Sequence, residues 1–163
     1  MKLEIDVELV KPTVIYAIGA PGCGKTTRLK PYATEINATY LNPDEIRKWV
    51  LDDEFDRTDD TLVWDILNSS VKLALKAGRH VIIDAKNSDP HYRQQDVNNY
   101  KTYGAKKIVA VFFNRKLDEC LANNAERAHP VPARDLKNVH EILQTTPPSK
   151  NEGFDEVIQP DLS

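Results

Sequence analysis

The stretch Gly19-Ala20-Pro21-Gly22-Cys23-Gly24-Lys25-Thr26 fits the pattern G-x-x-x-x-G-K-[ST] at every fixed position. A loop that aims several backbone N–H groups at one phosphate comes too close to it for side chains, which explains the repeated glycine. In such a loop the lysine reaches the β- and γ-phosphates, and the threonine hydroxyl can ligate Mg²⁺. The stretch therefore predicts a binding site for ATP and Mg²⁺.

The sequence around this loop has the context that a phosphate loop requires. Residues 13–18 are a short apolar, β-branched run typical of a buried parallel strand, and residues 27–34 can form a helix that contains Pro31. That helix would direct the positive end of its dipole at the phosphates. The predicted nucleotide contacts come from the loop and the first helical turn: Gly19, Ala20, Pro21, Gly22, Cys23, Gly24, Lys25, Thr26 and Thr27.

Composition limits the class of protein. The 163 residues give room for a single domain over residues 1–163, and 40% hydrophobic with 29% charged residues is typical of a globular protein. A net charge of −3 provides no overall attraction to long nucleic acid, although a local basic groove could still bind a few phosphates. Two cysteines suggest a reducing cytosol, and no apolar run reaches the length of about 18 residues that a membrane span needs.

Apolar runs and helical patterns alternate along the rest of the chain. Strands are predicted at residues 38–41, 80–84 and 107–113, with a terminal strand or extension at 157–158. Helices are predicted from Pro43 and at residues 59–77, 88–104, 117–127 and 135–144. This alternation predicts an α/β fold, a P-loop NTPase-type parallel sheet with helices on both faces. Residues 1–10 alternate apolar and charged side chains, which favours an edge strand.

Charged residues follow two of the predicted strands. Asp44 and Arg47 share one face of a helix, and Asp84 ends the next strand. Ligands of open α/β sheets bind beyond the carboxyl ends of the strands, so these three residues should converge. The Asp44 carboxylate could accept a hydroxyl proton, and Arg47 could bind an anionic substrate group. The alternative is a local ion pair in the first turn of a helix.

Asp84 follows an apolar strand, as the acid of a Walker-B motif does. It could hold Mg²⁺ together with Thr26, or it could orient Arg47. The sequence leaves both roles open, and each of them places Asp84 in the active site.

The segment at residues 125–134 combines basic residues with two prolines between predicted helices. We expect a lid at about residues 125–145 that closes over the donor phosphates. Arg127 is the first candidate for a phosphate contact and Arg134 the second. Exposed arginines on an ordinary linker are the alternative.

Together these motifs resemble the 5′-hydroxyl polynucleotide kinase family of P-loop phosphotransferases, the kinase part of phage and bacterial nucleic-acid repair enzymes. The resemblance runs from about Val14 to Phe154, through residues 19–27, 42–47, 81–87, 111–113, 126–132 and 152–155. It implies a catalytic set in which Lys25 and Thr26 hold the ATP phosphates and Mg²⁺, Asp44 is the general base, Arg47 contacts the acceptor's phosphate, Asp84 supports Arg47, and Arg127 binds the donor phosphates.

The chain departs from the family pattern at Asn123, where relatives often carry a second lid arginine, and Arg134 could compensate. No later Asp-x-Asp-Gly motif is present, so the resemblance covers a kinase module without the phosphatase domain of some relatives.

Three functions remain open at this stage. The first is transfer of the ATP γ-phosphate to the 5′-hydroxyl of a DNA or RNA end, with Lys86, His91 and Arg93 as candidate acceptor contacts. The second is a kinase of a small molecule or of a hydroxymethylated base in DNA, as in zeta-toxin-like and antibiotic-phosphotransferase relatives. The third is a non-catalytic ATP-binding module, which would have no need for Asp44, Arg47 and Arg127.

Overall fold

The sheet is centred on the apolar run in front of the phosphate loop. In the computed structural model, which describes residues 2–163, this run is β1 (Thr13–Ile18), and all of it is buried. Its neighbours are β3 (Val81–Ile83) and β4 (Lys107–Phe112), and the edges are β2 (Thr39–Leu41) and β5 (Glu156–Ile158). The strand order is β2-β3-β1-β4-β5, and each neighbouring pair is parallel. The predicted parallel sheet is confirmed.

Helices connect the strands and cover both faces of the sheet. Within residues 2–163 they are α1 (Lys25–Glu35), α2 (Pro43–Leu51), α3 (Asp60–Lys76), α4 (Pro90–Thr102), α5 (Leu117–Ala125) and α6 (Ala133–Thr145), with a 3₁₀ turn at Lys150–Glu152 before β5. None of them combines the length and the apolar character that crossing a bilayer requires.

Two apolar layers form because side chains alternate across a strand. Tyr16 and Ile18 of β1 belong to one layer, together with buried residues of α3 and α4. Ile15 and Ala17 belong to the other, together with buried residues of α1 and α5. The sheet is therefore covered on both faces, as predicted.

Capping residues fix where the helices of the site begin. The Asn42 side chain accepts a hydrogen bond from the Asp44 N–H (2.8 Å), with Pro43 in the first helical position. Asp59 caps α3 in the same way by accepting from the Leu62 N–H (3.1 Å). These side chains satisfy N–H groups that the helix itself leaves free.

Two expectations about local structure are wrong. Residues 2–10 form no strand, although Leu3 is buried in the α1 layer and Ile5, Val7 and Leu9 pack against it. The alternation reflects burial of one side of an extended segment, which does not require pairing with a sheet. Helix α5 ends at Ala125, so Arg127 lies in the connection to α6.

Candidate functional site

The phosphate loop joins β1 to α1 and depends on two glycines with left-handed backbone. Gly22 has φ of 79° and Gly24 has φ of 90°, a region that L side chains rarely adopt. A Cβ atom on Gly22 would lie 2.3 Å from the Cys120 carbonyl oxygen of α5. The loop therefore packs against α5 at a distance that only glycine permits.

The loop and the start of α1 present positive charge and free donors. The Lys25 Nζ donates to the carbonyl oxygens of Gly19 (2.8 Å) and Ala20 (3.1 Å), so the ammonium lies over its own loop. The first N–H groups of α1 have no acceptor within the helix, and its first turn contains no acidic residue. This arrangement suits an anion such as a phosphate group.

One oxygen of Asp84 connects the loop helix to the strand beside it. Asp84 is buried, and its Oδ2 accepts hydrogen bonds from the Thr26 hydroxyl (2.7 Å), the Tyr40 hydroxyl and the Asn42 side-chain amide (3.4 Å). Burial, and then the charge of Asp84, raise the pKa of Tyr40. The phenol therefore stays protonated and donates to the carboxylate.

Thr26 and Asp84 also fit a magnesium site. A hydroxyl and a carboxylate oxygen are ligands that Mg²⁺ prefers. Residues 2–163 contain no group of three or more His, Cys, Asp or Glu side chains placed to hold a metal ion. Phosphate oxygens and water would thus complete the coordination, as in nucleotide sites where the metal arrives with its ligand.

Asp44 and Arg47 of α2 belong to a cluster of two acids and two arginines. Arg47 is only 3% exposed, and it donates to Asp44 Oδ1 (2.6 Å) and to Asp60 Oδ1 (2.9 Å) at the start of α3. Arg57, on the loop before α3, lies 3.8 Å from Asp44 Oδ1 and 4.0 Å from Asp60 Oδ1. The two carboxylates hold the buried guanidinium of Arg47 in place.

Asp84 and Arg47 have different partners among the described residues, and the role of Asp84 stays a prediction. Arg47 takes its carboxylate partners from Asp44 and Asp60, whereas Asp84 contacts Thr26. Asp60 and Arg57 were missed in the sequence. An acid in a helical first turn and an arginine in a polar loop give no pattern that distinguishes them from ordinary surface residues.

The connection from α5 to α6 lies at the surface. Arg127 is exposed, with no side-chain partner among residues 2–163, and Arg134 is 94% exposed with a distant contact to Asp135 (3.8 Å). Asn124 closes the connection through two hydrogen bonds with the Val131 backbone (2.8 and 3.0 Å). Asn123, the departure from the family pattern, donates to the Gly22 carbonyl (2.9 Å).

Of the three candidate acceptor contacts after β3, Arg93 is fully buried and cannot serve as one. Its guanidinium pairs with Glu152 (2.6 Å) and donates to the carbonyl oxygens of Asn87, Ser88 and Thr146. Burial requires such partners because an unpaired guanidinium in the interior is costly. Lys86 and His91 remain exposed.

Arg115 is a further residue that sequence reasoning missed. It follows β4, and its Nε donates to the Cys23 carbonyl (3.3 Å) while its Nη2 donates to the Leu162 carbonyl (2.8 Å). It connects the phosphate loop to residues after β5.

A glycine-rich loop between the central parallel strand and a helix defines a P-loop kinase-type phosphotransferase fold, with a site of the kind that binds a nucleotide. The chain belongs to the AAA domain family, which matches residues 14–146.

Solved structures share this fold. A chain of the Pnkp1/Rnl/Hen1 RNA repair complex is 26% identical over 89% of this chain, with a TM-score of 0.74. This chain spans 47% of that one, about half its length. A proposed kinase of Chloroflexus aurantiacus J-10-fl has a TM-score of 0.68 at 17% identity, with 92% of this chain and 89% of that one covered. A gluconokinase of Sinorhizobium meliloti 1021 has a TM-score of 0.56 at 16% identity, with 91% of this chain and 82% of that one covered. The last two show the fold alone.

Proposed function

We propose that this protein transfers the γ-phosphate of ATP to the 5′-hydroxyl of a DNA or RNA end. The observation that carries the proposal is a continuous set of hydrogen bonds between the phosphate loop and the acid–arginine pair. Thr26 contacts Asp84, Asp84 contacts Asn42, and Asn42 caps the N–H of Asp44, which pairs with Arg47. A nucleotide-binding element and a proton acceptor with an adjacent guanidinium are what such a transfer needs.

Asp44 is the proposed general base. Its Oδ1 binds Arg47, whereas its Oδ2 has no hydrogen-bond partner within residues 2–163. Oδ2 can therefore accept the proton of the acceptor hydroxyl. The hydroxyl oxygen then bonds to the γ-phosphorus as the bond to the β–γ bridging oxygen breaks, and ADP leaves.

The phosphate loop supplies the stabilisation of charge. The Lys25 ammonium would neutralise part of the charge of the donor phosphates, and the N–H groups at the start of α1 would donate hydrogen bonds to them. Mg²⁺, when bound at Thr26 and Asp84, would neutralise further negative charge on the β- and γ-phosphates. Arg127, exposed in the connection after α5, is the proposed lid arginine that folds over the donor.

Similarity to the RNA repair complex supports a nucleic-acid acceptor. Sequence identity to a chain of that complex is 26%, compared with 17% and 16% for the two kinase structures that share the fold. Small-molecule and hydroxymethylated-base acceptors share the same loop and the same acid, so the acceptor has to be decided by experiment.

The test is transfer of label from γ-labelled ATP to a short oligonucleotide with a 5′-hydroxyl, in DNA and RNA forms, beside 5′-phosphorylated copies. Label should appear only on the 5′-hydroxyl strands. Asp44→Asn should lower turnover by roughly 10²- to 10⁴-fold, the usual contribution of a general base, and leave ATP binding intact.

Asp65→Asn is the matched control, because Asp65 is an exposed acid of α3 outside the cluster, and it should behave as wild type. Lys25→Ala should lose both ATP binding and transfer. Absence of label on all strands, with ATP still bound, would refute the end-kinase proposal and direct the search to the other acceptors. Equal transfer by wild type and Asp44→Asn would refute the role of Asp44.

A further inference from the structure

The two arginines beside Asp44 differ in what they can offer to a ligand. Arg47 is 3% exposed, and its short contacts to Asp44 and Asp60 balance its charge. Arg57 is 58% exposed, and its nearest carboxylate oxygens are 3.8 and 4.0 Å away, beyond hydrogen-bonding distance. Within residues 2–163 its N–H donors therefore have no acceptor, although its positive charge lies within 4.0 Å of the Asp44 and Asp60 carboxylates.

The loop that carries Arg57 also lies next to the proposed lid. Phe55, two residues before Arg57, packs its ring against His129 with the ring centroids 4.5 Å apart. His129 belongs to the connection between α5 and α6. The loop at residues 55–57 therefore contacts the α5–α6 connection through Phe55 and reaches the proposed base, Asp44, through Arg57.

We propose that Arg57 is a specificity-determining residue that binds the phosphate nearest to the acceptor's hydroxyl. This inference rests on the proposed function, because a 5′-hydroxyl nucleic-acid end carries its first phosphate on the 3′ side of the same nucleotide. A guanidinium with free donors forms paired hydrogen bonds to a phosphate, and such charge-assisted bonds are strong. Asp60 then acts as a positioning residue that holds Arg47 and keeps Arg57 at the cluster.

The alternative for Arg57 is a screened surface ion pair, which contributes little to stability or binding. One observation argues against it. The guanidinium lies within 4.0 Å of both acids of the cluster, Asp44 and Asp60, instead of close to a single partner.

The experiment measures direct binding, so it does not depend on transfer. Uridine or thymidine 3′-monophosphate is titrated against the same nucleoside without phosphate, with the donor site saturated by a non-hydrolysable ATP analogue and Mg²⁺. Wild type should prefer the 3′-monophosphate. Arg57→Ala should weaken its binding by roughly tenfold to a hundredfold and leave binding of the plain nucleoside unchanged.

Arg57→Lys should give an intermediate loss, because lysine keeps the charge without the paired donors. Lys48→Ala removes a nearby positive charge and should retain the preference of wild type. Binding of the ATP analogue by each variant shows that the fold is intact.

Each outcome decides the question. A wild-type preference that Arg57→Ala retains would refute Arg57 as the phosphate contact, and no preference in wild type would refute a phosphate-bearing acceptor. A preference that depends on Arg57, in a protein that labels no oligonucleotide, would support the phosphate contact and refute the end-kinase function separately.

Discussion

At the scale of single residues, the site depends on how one carboxylate oxygen is shared. Asp84 Oδ2 accepts from Thr26, Tyr40 and Asn42, so its negative charge is stabilised in a buried position next to the phosphate loop. The Thr26 hydroxyl and the Asp84 carboxylate are the groups that would hold Mg²⁺. Asp84 therefore connects nucleotide binding to the helix that carries Asp44.

Asp84→Asn should raise the Mg²⁺ concentration needed for half-maximal transfer, because an amide oxygen is a weaker Mg²⁺ ligand than a carboxylate. The Michaelis constant for the acceptor should change little, since both arginines of the cluster, Arg47 and Arg57, pair with Asp44 and Asp60. Steady-state kinetics across a Mg²⁺ titration checks this. Tyr40→Phe keeps the carboxylate and should stay close to wild type in its Mg²⁺ requirement. If Asp84→Asn left the Mg²⁺ requirement unchanged but raised the Michaelis constant for the acceptor, Asp84 would instead support Arg47.

At the scale of elements, Arg93 of α4 holds three segments together. It pairs with Glu152 of the 3₁₀ turn, and it donates to carbonyl oxygens in the loop after β3 and at the end of α6. The loop after β3 also accepts a hydrogen bond from Gly19, through the Lys86 carbonyl (3.0 Å). The buried arginine thus supports the backbone on which the phosphate loop rests.

Arg93→Met should lower the free energy of unfolding by about 3–5 kcal/mol, because it leaves the Glu152 carboxylate buried without its partner. Combining it with Glu152→Leu should recover part of this loss, since the unpaired charge is removed. Recovery should be incomplete because the carbonyl oxygens that Arg93 satisfies still lack a donor. Denaturant unfolding of Arg93→Met, Glu152→Leu and the double variant gives the coupling free energy between the two positions. Simple additivity of the two single changes would contradict the account.

At the scale of the whole molecule, His80 links the protonation of one buried side chain to folding. The Thr13 N–H at the start of β1 donates to His80 Nδ1 (3.0 Å), which requires an imidazole that is unprotonated at that nitrogen. Burial, and then the charge of Lys11, lower the pKa of His80 below its ordinary value of 6.5. The folded chain therefore resists a proton that the unfolded chain accepts.

The stabilisation from His80 is fully present above the unfolded pKa and is lost as the pH falls through the folded pKa. The free energy of unfolding should thus decrease as the pH falls from the neutral range to below 6.5, the ordinary pKa of histidine. His80→Asn keeps an acceptor for the Thr13 N–H without titrating in this range, so its profile should be flatter. Denaturant unfolding as a function of pH measures both, and parallel profiles would refute the linkage.

Much of this protein follows from short stretches of its sequence. The glycine pattern of residues 19–26, the apolar run of β1 and the Asn42-Pro43 helix start each specify local structure, because backbone conformation, capping and side-chain period act over a few residues. From these follow the parallel sheet, the phosphate loop and the position of Asp44 on α2.

Tertiary structure alone decided which distant side chains meet. Arg93 is 59 residues from Glu152 in sequence, and Thr26 is 58 residues from Asp84, so no local pattern pairs them. Residues 2–10 have the alternation of a strand, yet they pack on the α1 layer without joining the sheet. Packing selects among side chains that sequence leaves equivalent, and for that reason the fold placed Arg93 in the interior and brought Arg57 to the proposed acceptor site.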